Sequence, residues 1–270
     1  MTLPEVKNLL LSFENGVLHL TLNRPASRNA MNHDMVTELD AVFDAIGHAR
    51  EVRALILRGA GGHFCAGGDL KEMISGLKPP KPGEADPIVA FSRAFGGLLR
   101  KATKLPAVVI AICEGSVLGG GFGLACVSDI AFAHADAKFG LPETTRGLPP
   151  AQIAPFVVER IGLTQARKLC LTGAQFRGVE AQRLGIVHEV FTSEEELQEK
   201  LAATLKQVLN CAPNANAATK GIIMNVARQD MDFVLDDAAR KFADCVRGVE
   251  APEGISAFMQ KRAPKWASGK

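Results

Sequence analysis

Two stretches hold the residue patterns most suited to chemistry. RGAGGHFCAGGDLKEM (58–73) and AVVIAICEGSVLGGGFGLACV (107–127) share one plan, an apolar strand, a glycine-rich turn and then a helix. A helix start leaves backbone N–H groups without partners at the positive end of its dipole, and glycine lets a ligand approach that backbone closely. A phosphate cradle is the first chemistry this suggests. The known patterns fail: a phosphate loop needs Lys and then Ser or Thr after Gly67, where this chain has Gly68 and Asp69. GGGFGLAC lacks the third glycine of a dinucleotide fingerprint, and GSVLGG is not a GxSxG elbow. What remains is one N–H donor from each turn, both aimed at a single oxygen. That is an oxyanion hole, in which each donor supplies about 2.7 to 4 kcal/mol to an anionic intermediate. For either turn alone, tight packing of a helix on a strand is the commoner reason for glycine; the pairing favours a shared ligand.

Other reactive side chains carry less. His19, His33, His48, His63, His134 and His188 show no HxxxH or HExxH spacing, so no metal site is expected. The six cysteines form no CxxC pair and sit mostly in apolar runs, as reduced buried thiols would. Cys65 lies in the CAGGD turn, where a helix terminus lowers a thiol pKa, but nothing beside it in sequence suggests a nucleophile.

The elements that must position these turns are legible in outline. Hydrophobic residues are 47% and charged residues 22% of 270, with 31 Lys+Arg against 29 Asp+Glu. Such a balance leaves no footprint for nucleic acid or an anionic membrane. The 107–127 run has the length of a membrane span, but Glu114 at mid-bilayer would cost about 2.5 to 3.5 kcal/mol. A strand, a turn and a buried helix fit it better. MTLPEVKNLL resembles neither a secretion signal nor a transit peptide, and a cytoplasmic protein is expected.

LLLSFENGVLHLTL predicts a hairpin about Asn15-Gly16. Met35, Leu39, Val42, Phe43 and Ile46 share one helical face, and RALILRGA and PAVVIAICEG read as buried strands. SGLKPPKPGEADP (75–87) reads as a mobile surface loop, and the following IVAFSRAFGGLLRKATKLP as a helix. SDIAFAHADAKFGLPET gives two short strands. A helix, the strand GIVHEVF and a helix opened by a Ser193-to-Glu196 capping box follow, with helices throughout the last 60 residues. The class is α/β, with a core over 1–205 and a helical piece over 206–270.

Five ordered motifs now carry a resemblance. RPASRNAMN, HFCAGGDLKEM, GSVLGGGFGLACVSDIAFA, AKFGLPET and AFMQKR resemble, in order and spacing across essentially the whole chain, the enoyl-CoA hydratase/isomerase (crotonase) superfamily. The resemblance implies the crotonase fold, a spiral of ββα units with a helical C-terminal trimerisation region, assembled as a homotrimer or as a hexamer of two trimers. It implies a coenzyme A thioester as substrate with no permanently bound cofactor. The thioester oxygen would sit between the N–H groups of Gly68 and Gly120. By position, Gly68, Asp69, Leu70 and Lys71 would line the thioester and pantetheine, and Ala66 the adenine. Arg24 and Arg28 would meet the phosphates, and Phe258 and Lys261 would complete the pocket, from a neighbouring subunit if the tail reaches across.

Hydratases of this family carry two glutamates about the double bond. The second falls here at Glu143; the first falls at Gly123. A carboxylate in an apolar, glycine-lined pocket has a raised pKa and can exchange a proton with the α-carbon. GLPPAQIAPF departs from the family's glycine-rich segment, leaving Gln152 as either a pocket amide or a surface residue. Within the family, GGGFGLACVSDIA, PAQIAPFVVERIGLTQARKL and CAPNANAATK resemble hydratases of branched glutaconyl-CoA thioesters. Such a substrate brings its own carboxylate, and Arg93 and Arg146 are the candidates to bind it. The lone Glu143 equally suits a Δ3,Δ2-enoyl-CoA isomerase, and a non-catalytic acyl-CoA-binding subunit is the reading from another class.

Overall fold

The computed structural model describes residues 2–69, 71–72, 80–81 and 83–267. Strands β1 (Leu9–Glu14) and β2 (Val17–Leu22) form the antiparallel hairpin that Asn15-Gly16 predicts, both turn residues having positive φ, 51° and 80°. Four further strands, β3 (Ala54–Gly59), β4 (Val108–Cys113), β6 (Ile130–His134) and β9 (Glu189–Phe191), extend it in parallel, in the order β1-β2-β3-β4-β6-β9.

This sheet is covered on both faces. Leu55, Leu57, Val109 and Ala111 point into the larger apolar layer with helix α1 (His33–Gly47), whose inward face carries the five apolar residues that the periodicity picks out. Ile56, Ile110 and Ile112 point the other way, against Leu197 and Leu201 of a later helix. Burial on both sides explains why these strands read as unbroken apolar runs rather than alternating ones.

The 107–127 run is β4, then β5 (Ser116–Leu118), then a helix whose residues Gly120–Val127 are all buried. It is apolar all round because it lies inside the protein, and among the described residues no helix is long and apolar enough to cross a membrane. The strand β5 is unexpected: it pairs in parallel with β7 (Lys138–Gly140), which pairs with β8 (Gln175–Arg177), in a second three-stranded sheet.

With α2 (Pro87–Ala102) and the buried α3 (Gly120–Val127) in place, the remaining helices are α4 (Ala154–Thr172), α5 (Gly178–Arg183), α6 (Glu194–Asn210), α7 (Pro213–Asn225), α8 (Met231–Arg247) and α9 (Glu250–Met259). The α6 capping box forms in altered shape. Ser193 accepts from the Glu196 N–H at 3.2 Å, but the Glu196 carboxylate reaches past it to the Thr192 N–H. The expected division after residue 205 falls within α6, whose Val208 still packs in the second apolar layer. Residues 75–79 and 82 of the proline-rich segment, and most of the helix expected after Asp69, lie outside the described residues.

Candidate active site

The first glycine turn rests on the RPASRNAM segment. Asn29, fully buried at φ 57°, accepts the Arg24 N–H at 2.9 Å and donates to the carbonyls of Ala60 and His63. Ala66 donates its N–H to Arg28 O, Met31 to Gly67 O and Asp69 to Met31 O. Gly68 stands between these bonds, and among the described residues its own N–H has no acceptor. Arg24 closes the arrangement, donating to Ala30 O and pairing with Asp69 at 3.0 Å. Burial opposes ionisation of Asp69, but the Arg24 hydrogen bond and nearby backbone N–H groups outweigh it and hold the carboxyl below its ordinary value.

The second turn packs directly on the first. The Cys65 N–H donates to Ser116 O and the Leu118 N–H to Cys65 O, so the first turn adds itself to the edge of β5. A Cβ on Gly67 would stand 3.3 Å from Leu118 O, and one on Gly121 2.6 Å from Cys65 Cβ. The two backbones therefore approach as closely as glycine permits. Gly120 opens α3, and its N–H likewise has no acceptor among the described residues. Met31 and Phe95 close over it: a Cβ on Gly120 would lie 2.3 Å from Met31 Cε and 3.1 Å from Phe95 Cζ. Cys65 is fully buried, and burial pushes its thiol up to about 12 despite backbone hydrogen bonds, the reverse of what a thiolate nucleophile requires.

Glu143 is the second residue of a short 3-10 turn, Pro142–Arg146, that follows β7 after one residue. Pairing of β5 with β7 carries it to the glycines: a Cβ on Gly119 would stand 2.6 Å from Glu143 Oε1. Its Oε2 is buried and has no hydrogen-bond partner. Burial raises the Glu143 pKa, with its own backbone N–H and the charge of Arg146 only partly offsetting it. One unsatisfied carboxylate, poised to hold or release a proton, thus lies beside the residue that precedes the free Gly120 N–H.

The place of the family's first glutamate, Gly123, faces hydrocarbon. A Cβ on Gly123 would meet Leu99 Cδ1 at 3.3 Å and both Ile153 Cγ atoms at 3.4 Å. A side chain there would press on Leu99 and Ile153, which would have to shift by a few tenths of an ångström. Gly123→Glu is accordingly expected to lower stability by about 3 kcal/mol or more, since it buries an uncompensated charge. It should not raise turnover, as a melting curve and a rate measurement on the variant would show.

The other expected site residues divide. Arg28, on the RPASRNAM segment, and Lys71 are exposed and Ala66 is half-buried; Leu70 lies outside the described residues. Arg146 shares the Glu143 turn, and Arg93 is exposed on α2. Phe258, 85% exposed, and Lys261 lie at the end of α9, which packs against α8. Sequence reasoning missed Gly119, whose φ of 51° and ψ of −118° suit glycine and whose bare Cα admits Glu143. It also missed Asn29 as the brace of the first turn; the signal was an asparagine in a short polar turn, a residue type that tolerates positive φ. No group of three or more His, Cys, Asp or Glu among the described residues is placed to hold a metal ion.

Two free N–H donors from abutting turns and one secluded carboxylate are the parts needed to stabilise an enolate and move its proton. A family model described as enoyl-CoA hydratase/isomerase matches residues 12–269. The chain belongs to the enoyl-CoA hydratase/isomerase family. Its fold is accordingly the crotonase fold, which solved structures share. One, Pseudomonas aeruginosa AtuE, is 55% identical with a TM-score of 0.92, over 97% of this chain and 100% of that one. Another, an enoyl-CoA hydratase/isomerase from Marinobacter aquaeolei, is 53% identical with a TM-score of 0.93, over 97% and 99%. Among characterised relatives, the short-chain-enoyl-CoA hydratase of Clostridium acetobutylicum is 32% identical over 96% of this chain and 97% of its own length. An enoyl-CoA hydratase/isomerase activity follows from family membership.

Proposed function

We propose that the protein hydrates the 2,3 double bond of a branched glutaconyl-type acyl-CoA, such as 3-isohexenylglutaconyl-CoA or 3-methylglutaconyl-CoA. The observation that carries this reading is Glu143, whose Oε1 lies against Gly119 and whose Oε2 is buried without a partner. In this account the N–H groups of Gly68 and Gly120 hold the thioester oxygen as it becomes an enolate. Glu143 takes a proton from water as the water oxygen bonds to C3. The electron pair of the double bond moves toward the thioester, and the proton is returned to C2, so one water is added and the carboxylate is regenerated.

Coenzyme A enters as part of the substrate, and no permanently bound cofactor is required. Arg28, exposed beside Ala66, is assigned to the phosphates, with Arg24 behind it holding Asp69. Phe258 and Lys261 are assigned to the pocket of a neighbouring subunit in a homotrimer, or in a hexamer of two trimers. The exposed apolar side chains of the C-terminal helices, Phe242 at 72% and Met259 at 77% among them, support burial against another copy.

A second reading has a specific observation in its favour. Enclosure of Gly123 by Leu99 and Ile153 leaves a single carboxylate, enough for a Δ3,Δ2-enoyl-CoA isomerase that shuttles one proton between carbons. Incubation with 3-methylglutaconyl-CoA and, separately, a 3-enoyl-CoA distinguishes the two. A product heavier by one water from the first supports hydration. A same-mass shift of the second without hydration of the first supports isomerisation, and binding without either supports a non-catalytic acyl-CoA-binding subunit.

A further inference from the structure

Gln152 sits where the polypeptide enters α4, next to the Ile153 that closes off Gly123. Its side chain does not turn to solvent. It crosses to α2 and lies on the backbone of buried Gly96, so that a Cβ at position 96 would fall 1.9 Å from Oε1 and 2.8 Å from Cδ. The amide occupies the volume that any larger residue at 96 would take. Glycine in mid-helix costs about 0.5 to 1 kcal/mol relative to alanine, and here it admits this amide.

Two features make the amide more than packing. Gln152 is only half-buried, yet among the described residues its carboxamide makes no hydrogen bond to protein. It also lies one residue along α2 from Phe95, the ring that covers Gly120. Arg93 approaches the same stretch of α2: its Nη1 lies 3.8 Å from the Cβ position of Gly97, and it has no ion-pair partner among the described residues. The adjacent glycines 96 and 97 thus have against them one neutral amide, from Gln152, and one cationic guanidinium, from Arg93.

We infer that Gln152 and Arg93 form the subsite for a carboxylate at the far end of the acyl chain, the Gln152 Nε2–H and the Arg93 guanidinium donating to its two oxygens. Acting together, they select dicarboxylic acyl thioesters over the same chains lacking the terminal carboxylate. The inference deepens the proposed glutaconyl specificity and rests on it. Arg146, whose charge bears on Glu143, is left to the reacting end.

Binding of saturated thioesters tests this apart from turnover. Glutaryl-CoA and its decarboxylated counterpart butyryl-CoA are titrated by calorimetry into the wild-type protein and into the Gln152→Leu, Arg93→Ala and Gly96→Ala variants. The wild type should bind glutaryl-CoA about 10-fold or more tighter than butyryl-CoA. Gln152→Leu should weaken glutaryl-CoA about 10- to 100-fold, the range for hydrogen bonds to a charged group, and leave butyryl-CoA within about 2-fold. Gly96→Ala, which improves helix propensity but displaces the amide, should reproduce that loss and add little to it in the double variant. No wild-type preference for glutaryl-CoA, or equal weakening of both ligands, would overturn the subsite. If the preference holds while 3-methylglutaconyl-CoA goes unconverted, the subsite stands and the hydration reading falls.

Discussion

Glu143→Gln should lower kcat by about 10²- to 10⁴-fold, the range for removal of a positioned general acid–base, while affinity for coenzyme A thioesters stays within about 2-fold. Gln keeps the shape beside Gly119 and removes only the proton exchange. The pH dependence has a definite sign. Burial raises the Glu143 pKa in the folded protein above its unfolded value, and the base form is the ionised one, so wild-type kcat/KM should rise with pH through that raised value.

Stability should move the other way. Below the unfolded pKa of about 4.3, Glu143 is protonated in both states and adds no penalty. As pH rises through the window up to the raised folded value, the folded state must ionise a secluded carboxylate with an unpartnered oxygen, and stability is lost. The Gln variant should therefore melt higher than wild type at neutral pH, with the difference vanishing in acid. Lost activity with gained stability is the signature of a strained functional group rather than a structural one.

Gly119→Ala should be nearly as damaging, although residue 119 donates nothing to the substrate. The new Cβ would stand 2.6 Å from Glu143 Oε1 and 3.4 Å from Gly67 Cα, at a φ of 51° and ψ of −118°. It presses on the carboxylate and on the first turn, and it strains the residue that aims the Gly120 N–H. A loss of about 10²- to 10³-fold in kcat is expected, the range for one misplaced oxyanion donor, with about 1 to 3 kcal/mol of destabilisation from backbone strain. Kinetics and thermal melting read both. A variant with wild-type kcat would show that the second turn is packing alone.

These effects also mark where the sequence stops being readable. The Asn15-Gly16 hairpin, the apolar face of α1 and the doubly buried strands of the main sheet follow from local pattern, because each signal lies within one element. Strands β5 and β8 do not: three residues each are too few for a period to show, and their pairing with β7 joins segments far apart in the chain.

The same non-local pairing governs the site. Gly68 and Gly120 are legible as paired turns, but the seclusion of Glu143 depends on β5 and β7 bringing Gly119 against it. In sequence, Glu143 is one acidic residue in a short turn until the ordered motifs single it out. Arg24 reads as a loop cation free for a phosphate; the fold pairs it with Asp69, 45 positions on. Gln152 reads equally as surface or pocket, and only the bare backbone at Gly96, in another helix, decides that its amide turns inward.

Glu143 is proposed to add water to a substrate held by the two glycine turns. This role is tested most directly by incubating wild type and Glu143→Gln with 3-methylglutaconyl-CoA in water enriched in heavy oxygen and analysing the products by mass. The wild type should yield a 3-hydroxy thioester carrying one labelled oxygen, and the variant should return the substrate unchanged. Wild-type product of unaltered mass, or labelled product from the variant at the wild-type rate, would contradict that role.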